Sequence, residues 1–382
     1  MKKKTSILIE TINNYISSSA PVSALTEHEL ELCTQYGLGP ILAELYLDNM
    51  NLISEDLAVK LRSVKITAQF QAAQFDSAMN ALIKILNASE IAVILLKGIH
   101  LSLTHYHEAS HRRMGDIDIL IEQKYTDKVV QTLKSLGYIH DENDPDEFFL
   151  THHHLKPLYH PEKNTWIEVH TRLFTKKSLA GNRKLFQPQQ IFKNISLIEK
   201  CADNIYGLTV ELNLHYTMTH WVKEFNLANS LSQIVDIVLL INNNQPDWDK
   251  FINGIESPSH ATEIKIIFDL LIKAHLIQVP EPAQKAIFDQ KDSAGFIGRW
   301  ILRKIVDGFL NQSIFITKTI GPTNCERIWS AYLSDNHSVK NHYQAFSALL
   351  FADVPGSKSK LQSLGIRLRR LYSRLMNHKD HG

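Results

Sequence analysis

Apolar residues in the first ninety positions recur at helical spacing. From Leu57 to Leu86 they fall three and four residues apart with no Pro or Gly between them, which predicts one long helix. Before it, apolar residues around Leu30 and Leu42 lie on either side of Gly37-Leu38-Gly39-Pro40. This part of the chain is therefore predicted to be helical throughout.

The pattern changes to short strands after residue 90. A β-branched run at 91–96 predicts a strand that ends at Lys97-Gly98, and the apolar run at 116–122 predicts a second strand. Short helices are predicted at 99–109 and 125–136, the second ending at Gly137 as its C-cap.

A hairpin is predicted next, from segments 152–159 and 166–173 around the turn His160-Pro161-Glu162-Lys163-Asn164. From about residue 185 the chain is predicted to be mostly helical. These elements predict an α+β protein in which a mixed sheet is flanked by helical N-terminal and C-terminal regions. We expect a helical region over 1–88, an α/β core over 89–184 and a helical domain over 185–382.

Composition narrows the class of protein only a little. The 382 residues are 44% hydrophobic and 21% charged, and the net charge of +1 disfavours a nucleic-acid partner. Three scattered cysteines fit neither a disulfide framework nor a zinc motif. No apolar run approaches a membrane span, and Glu10 interrupts the stretch after Met1-Lys2-Lys3-Lys4. We therefore expect a cytoplasmic protein.

Two aspartates, Asp116 and Asp118, lie at the start of the second predicted strand. Strand alternation directs both side chains to one face, where two carboxylates repel one another unless a cation lies between them. Magnesium is usually held by one or two carboxylates together with substrate phosphates. The pair therefore predicts a site for a divalent cation that acts on phosphates.

A third acid, Glu168, shares its strand face with His170. A carboxylate among apolar strand residues is costly to bury unless it is paired or bound to metal, although an exposed acid on an edge strand is the alternative. Three acids would complete a site for two cations about 3.5–4 Å apart, as in phosphoryl transfer. The turn at Lys97-Gly98 would let phosphate approach the backbone at a helix N-terminus.

Together, these motifs resemble a known enzyme superfamily. They are Leu95-Leu96-Lys97-Gly98, the segment from Arg112 to Asp118, Leu136-Gly137-Tyr138, and Glu168-Val169-His170. Over about residues 36–240 the chain resembles the DNA polymerase β-type nucleotidyltransferases and, within them, the bacterial uncharacterised nucleotidyltransferase family. The resemblance implies a polymerase β-like sheet and transfer of a nucleotidyl group from an NTP with Mg²⁺ or Mn²⁺.

The resemblance also implies roles for single residues. Asp116, Asp118 and Glu168 would bind the metals, and Glu168 is alternatively the base for the attacking group. The residues that would contact the nucleotide are Lys97, Gly98, Arg112 or Arg113, His170, His220 and Asp236. Alternatives remain: a solvated loop for the arginines, a structural role or orientation of Glu168 for His170, and helix packing for His220 and Asp236.

Two further patterns have competing interpretations. The run His152-His153-His154 suggests zinc, but alternation in a strand would bring together at most the first and third rings, and no cysteine is nearby. One of these histidines lining the cleft opposite Glu168 is the preferred interpretation. Near the end, a leucine stripe over 361–375 with arginines beside it predicts a docked helix, with a membrane-surface or polyanion-binding helix as the alternative.

These observations predict a Mg²⁺-dependent nucleotidyltransferase that moves an NMP, AMP from ATP, to an unidentified hydroxyl acceptor. The acceptor would be a small molecule, a peptide, a protein side chain or an RNA end. The superfamily usually has Gly-Ser where Lys97-Gly98 stands here, which favours the alternative of an inactive nucleotide-binding or partner-binding module. A toxin-type or antitoxin-type transferase acting on protein or tRNA is a further alternative.

Overall fold

The computed structural model describes residues 6–303, with gaps at 88–89, 141–148, 151, 177, 200, 202–203, 224–230, 295–297 and 300–301. The leucine-striped segment at 361–375 lies outside the described residues. Within the described part of the chain, no helix is both long enough and apolar enough to cross a membrane.

The N-terminal region is helical, as predicted. Its helices are α1 (Ile7–Ser17), α2 (Glu27–Gln35), α3 (Gly39–Leu47) and the 33-residue α4 (Glu55–Asn87). Helix α2 begins at a capping box in which Thr26 and Glu29 satisfy each other's backbone N–H groups. The prediction of one long helix over 57–86 is confirmed by α4.

A seven-stranded mixed sheet follows, in the order β3-β4-β5-β2-β1-β7-β6. Its strands are β1 (Val93–Leu95), β2 (Ile117–Leu120), β3 (Ile139–His140), β4 (Leu158–His160), β5 (Thr165–His170), β6 (Ile195–Leu197) and β7 (Ile205–Leu208). The pairs β1/β7 and β2/β5 are parallel, and the others are antiparallel. The predicted mixed sheet between helical regions is confirmed.

The connections within the sheet also follow the predictions, with different bounds. Helix α5 (Lys97–Thr104) starts directly at the Lys-Gly turn, and α6 (Thr126–Ser135) is followed by Gly137 at φ +93°. The hairpin β4–β5 is confirmed, but its first strand starts at Leu158 instead of residue 152. Pro157 cannot donate to a strand ladder, and before it only an isolated bridge joins His154 to His170.

The remaining described chain is mostly helical, as predicted, but it also contributes two strands. Its helices are α7 (Leu179–Asn182), α8 (Pro188–Ile191), α9 (Val210–Lys223), α10 (Leu231–Asn244), α11 (Trp248–Asn253), α12 (Pro258–Lys273) and α13 (Glu281–Asp289). Strands β6 and β7 extend the sheet beyond residue 184. In β7, Gly207 packs directly against the His100 ring. A Cβ at position 207 would lie 2.1 Å from His100 Nε2, so there is no room for a side chain.

Within the described ranges, the buried apolar residues form three clusters. One face of the sheet packs against α6 and the C-terminal half of α4, while the other face is covered by residues 173–191 and α9. The third cluster joins α1–α3 to α9, α10 and α12. The predicted division at residues 88 and 184 stays a prediction, and the first and third of its regions share this helical core.

Candidate active site

The pairing of β2 with β5 brings the acids together. These strands are parallel, with Asp118 opposite Glu168 and Leu120 opposite His170. Ile117 and the other apolar neighbours pack into the core on the α4 face, so Asp118, Glu168 and His170 project from the other face. The predicted common face of Glu168 and His170 follows directly from this alternation.

Asp118 is the most buried of the three acids, with its side chain 3% exposed. One of its oxygens, Oδ1, lies 2.9 Å from Lys97 Nζ and accepts a hydrogen bond from His170 Nε2 at 2.8 Å. Burial alone would raise the pKa of Asp118, but the Lys97 ammonium and the His170 hydrogen bond hold it well below its usual range. Asp118 is therefore ionised at neutral pH.

Asp116 lies just before β2 and is half-buried. Burial disfavours its charged form and the Asp118 carboxylate repels it, which together raise the pKa of Asp116 to about 7. The two carboxylates therefore differ in protonation: Asp118 is ionised at neutral pH, whereas Asp116 titrates near neutrality. The arrangement carries excess negative charge that a divalent cation would offset.

Glu168 is not an exposed edge-strand acid, because β5 lies between β4 and β2. Its Oε2 lies 3.5 Å from His170 Nε2 and 3.7 Å from His154 Nε2, and its side chain is 20% exposed. Burial opposes ionisation, but the contact with His170 lowers the pKa of Glu168 below its usual value. His154 lies beside Glu168, where the preferred interpretation of the histidine run placed one of the three rings.

His170 is completely buried beneath the two acids, at 0% exposure. Burial lowers the pKa of its imidazole, but its bonds to Asp118 and Glu168 outweigh that effect and raise the pKa above its usual value. A buried ring bonded to both carboxylates orients them. The geometry favours this role over direct contact with a nucleotide.

The turn between β1 and α5 has an unusual backbone. Lys97 has φ +48°, in the left-handed region that residues with side chains rarely adopt. At Gly98, a Cβ would lie 2.8 Å from Met114 Cγ and 3.6 Å from Arg112 Cζ. Glycine is needed here because the segment from Arg112 to Met114 packs directly against the turn.

Arg112 and Asp236 are both predicted nucleotide contacts, and the structure pairs them with one another. Arg112 Nε donates to both Asp236 oxygens at 2.9 and 3.1 Å, and Nη2 donates to Oδ2 at 2.8 Å. The Tyr106 hydroxyl donates to Oδ1 at 2.7 Å. Asp236 therefore fixes Arg112, while Arg113 is exposed. Of the two arginines, Arg113 has the freer guanidinium for a phosphate.

His220 lies in α9, one helical turn after Tyr216. Its Nδ1 is 3.4 Å from Gln233 Oε1 of α10, and its ring meets the Tyr216 ring edge-on at a centroid distance of 5.8 Å. These contacts join two helices, and they favour the helix-packing alternative. Tyr216 in turn contributes to the electrostatic surroundings of Lys97.

The expectation for the histidine run is wrong in one respect. Alternation predicted that only His152 and His154 converge, yet ring nitrogens of all three histidines lie within 4.8 Å of one another. The reason is that these residues do not form a regular strand, so their side chains need not alternate. The three rings lie beside the acids, with the His153 ring 5.1 Å from that of His170.

Sequence reasoning missed two buried networks. Tyr106 had no distinguishing signal, because its partner Asp236 is 130 residues away. Arg183 pairs with Glu263 at 2.7 Å and also donates to Thr219, linking α7 to α9 and α12. No local pattern could have found these pairs.

Ligand atoms of Asp118, Glu168 and His170 lie within 4.8 Å of one another. The Asp116 carboxylate interacts electrostatically with all three residues. The sequence model of the uncharacterised nucleotidyltransferase family matches residues 26–268. The chain belongs to this family. A search of curated proteins and a search of solved structures each gave no significant match. The matched region contains the sheet, the acids and the Lys97-Gly98 turn, which supports nucleotidyl transfer as the general activity.

Proposed function

We propose that this protein transfers AMP from ATP to a hydroxyl acceptor and releases pyrophosphate. The observation that carries the proposal is the convergence of Asp118 and Glu168 on one sheet face beside the Lys97-Gly98 turn. Membership of the family supports the reaction type, and the acid cluster supports its location.

The donor set fits magnesium or manganese, because both prefer carboxylate oxygens. Asp116, Asp118 and Glu168 would hold the ions. When bound, two such ions supply charge stabilisation to the attacking and leaving oxygens of an in-line displacement. Burial, together with repulsion by the Asp118 carboxylate, raises the pKa of Asp116 to about 7, which supports this assignment because a bound cation would favour the ionised carboxylate.

The protein's own residues would bind the triphosphate, orient the catalytic acids and accept the proton. Lys97 and the exposed Arg113 would bind phosphate oxygens, and the backbone at Gly98 would allow the triphosphate to approach α5. His170 would keep Asp118 oriented through its 2.8 Å hydrogen bond. The acceptor oxygen forms a bond to the α-phosphorus while the bond from that phosphorus to the pyrophosphate oxygen breaks. The hydroxyl proton passes to Glu168 or to solvent.

The test uses the full chain with α-labelled NTPs, Mg²⁺ or Mn²⁺, and hydroxyl-bearing small molecules, peptides and proteins as acceptors. We expect pyrophosphate release and a labelled adduct, with ATP preferred. Asp118→Asn and Glu168→Gln should each reduce the rate by more than about 100-fold. Glu122→Gln is the matched control, because the Glu122 side chain is 40% exposed and pairs with Lys124. Release that is unchanged in Asp118→Asn would refute the assignment.

A second function is favoured by one observation. Lys97 Nζ lies 2.9 Å from Asp118 Oδ1, so a protein cation already occupies part of the place where a metal would bind. In that case the protein binds nucleotide or a partner without turnover. Nucleotide binding measured by calorimetry, with no pyrophosphate released under any tested acceptor, would identify this module.

A further inference from the structure

The three histidines His152–His154 form a compact cluster that the proposed reaction does not use. Each can offer one ring nitrogen, and these nitrogens lie within 4.8 Å of one another. In a tetrahedral zinc site the ligand nitrogens are about 3.3 Å apart, as follows from Zn–N distances of about 2.0–2.1 Å. Metal binding would therefore bring the three rings closer together by side-chain rotation.

Hydrogen bonds at Nδ1 orient two of these rings. His154 Nδ1 donates to the backbone carbonyl of Leu155 at 2.7 Å, since a carbonyl can only accept. The neutral ring then carries its lone pair on Nε2. His153 Nδ1 lies 3.2 Å from Thr175 Oγ1. Histidines that bind metals are typically held in this way, by a carbonyl or hydroxyl at the nitrogen that does not face the metal.

The lone pair of His154 faces another electron donor. Its Nε2 lies 3.7 Å from Glu168 Oε2, and both atoms carry lone pairs when the ring is neutral and the carboxylate ionised. Two ligand atoms at this separation can bind a single ion placed between them. A cation at the histidine cluster would therefore have the Glu168 carboxylate at its edge.

We infer that His152, His153 and His154 bind a divalent cation of the zinc class. Imidazole ligands suit zinc and neighbouring transition metals, whereas magnesium prefers oxygen, so this site is chemically distinct from the acid site. Three protein ligands leave one position open, as in zinc sites that also bind water or substrate. The inference does not depend on nucleotidyl transfer.

The test titrates the metal-free full chain with Co²⁺ and records its visible spectrum. We expect one equivalent of tightly bound Co²⁺ with the strong absorption of four-coordinate cobalt, displaced by Zn²⁺ but not by excess Mg²⁺. A wild-type spectrum showing only weak six-coordinate bands would overturn the inference without any variant. The acid site, with oxygen ligands, would give such weak bands.

Three variants then locate the site. His152→Ala and His153→Ala should each weaken Co²⁺ binding by more than about 100-fold. His28→Ala is the matched control, because His28 is an exposed histidine of α2, and it should leave the spectrum unchanged. Circular dichroism verifies that each variant is folded. Unchanged four-coordinate absorption in both cluster variants would place the metal elsewhere and overturn the assignment.

Discussion

Removing the carboxylate of Asp236 provides a direct test of how the fold builds the site. In the structure, Asp236 is 2% exposed and binds a guanidinium that is itself only 10% exposed. The bond joins α10 to the segment from Arg112 to Met114, which packs against the turn at Gly98. Asp236→Ala therefore leaves a buried positive charge without its partner and loosens the segment beside the turn.

The magnitude follows from the contacts that are lost. Arg112 makes three hydrogen bonds to the two Asp236 oxygens, and Tyr106 makes one more. Removing one partner of a buried ion pair costs about 3–5 kcal/mol, because the remaining charge stays desolvated. Replacing both partners by apolar groups is often nearly neutral. Asp236→Ala should lose about 3–5 kcal/mol, and Arg112→Met/Asp236→Ala should recover most of it.

The assay is urea unfolding followed by circular dichroism, for both single variants and the double variant. Glu122→Ala removes an exposed ion pair with Lys124 and should change stability by less than about 1 kcal/mol. If the losses of the two single variants simply add in the double variant, Arg112 and Asp236 are not energetically coupled. If Asp236→Ala keeps full stability and raises only the KM for NTP, Asp236 contacts nucleotide and the structural role is refuted.

Three further predictions concern the turn and a buried histidine. Because Lys97 has φ +48°, Lys97→Gly should be about 1–2 kcal/mol more stable than Lys97→Ala in thermal unfolding, the reverse of the usual helical order. Gly98→Ala places a Cβ 2.8 Å from Met114 Cγ and should cost about 1–3 kcal/mol of unfolding free energy, whereas an unchanged melting temperature would show that the segment moves freely. Burial lowers the pKa of His100 from 6.5 to about 3, so the unfolded chain binds its proton first as pH falls. Stability should therefore fall by about 1.4 kcal/mol per pH unit between pH 6.5 and 3 on account of this group, and urea titrations of His100→Gln should show a correspondingly smaller slope.

Features that depend on local pattern were predictable from the sequence. The common face of Glu168 and His170 follows from alternation within one strand, and the end of α6 follows from Gly137 at φ +93°. The long helix α4 follows from its unbroken periodicity. Each of these depends on residues a few positions apart, where backbone geometry alone decides the outcome.

Features that depend on distant contacts were not predictable. Strands β6 and β7 are three and four residues long, and Gly207 weakens the strand pattern in the second. The partners Arg112 and Asp236 are 124 residues apart, so only the folded chain shows that they bind each other. Strand alternation predicts the wrong arrangement for His152–His154, because the backbone of these residues is not a regular strand.

The Lys97-Gly98 turn connects these local and distant features. A left-handed backbone at a lysine is energetically unfavourable, and it persists only where surrounding contacts maintain it. Here the Lys97 ammonium contacts Asp118. The next residue, Gly98, leaves room for the segment from Arg112 to Met114, which Asp236 holds through Arg112. A cation beside Asp118 offsets the negative charge of three acids, and under the proposed function the same ammonium would also contact the triphosphate.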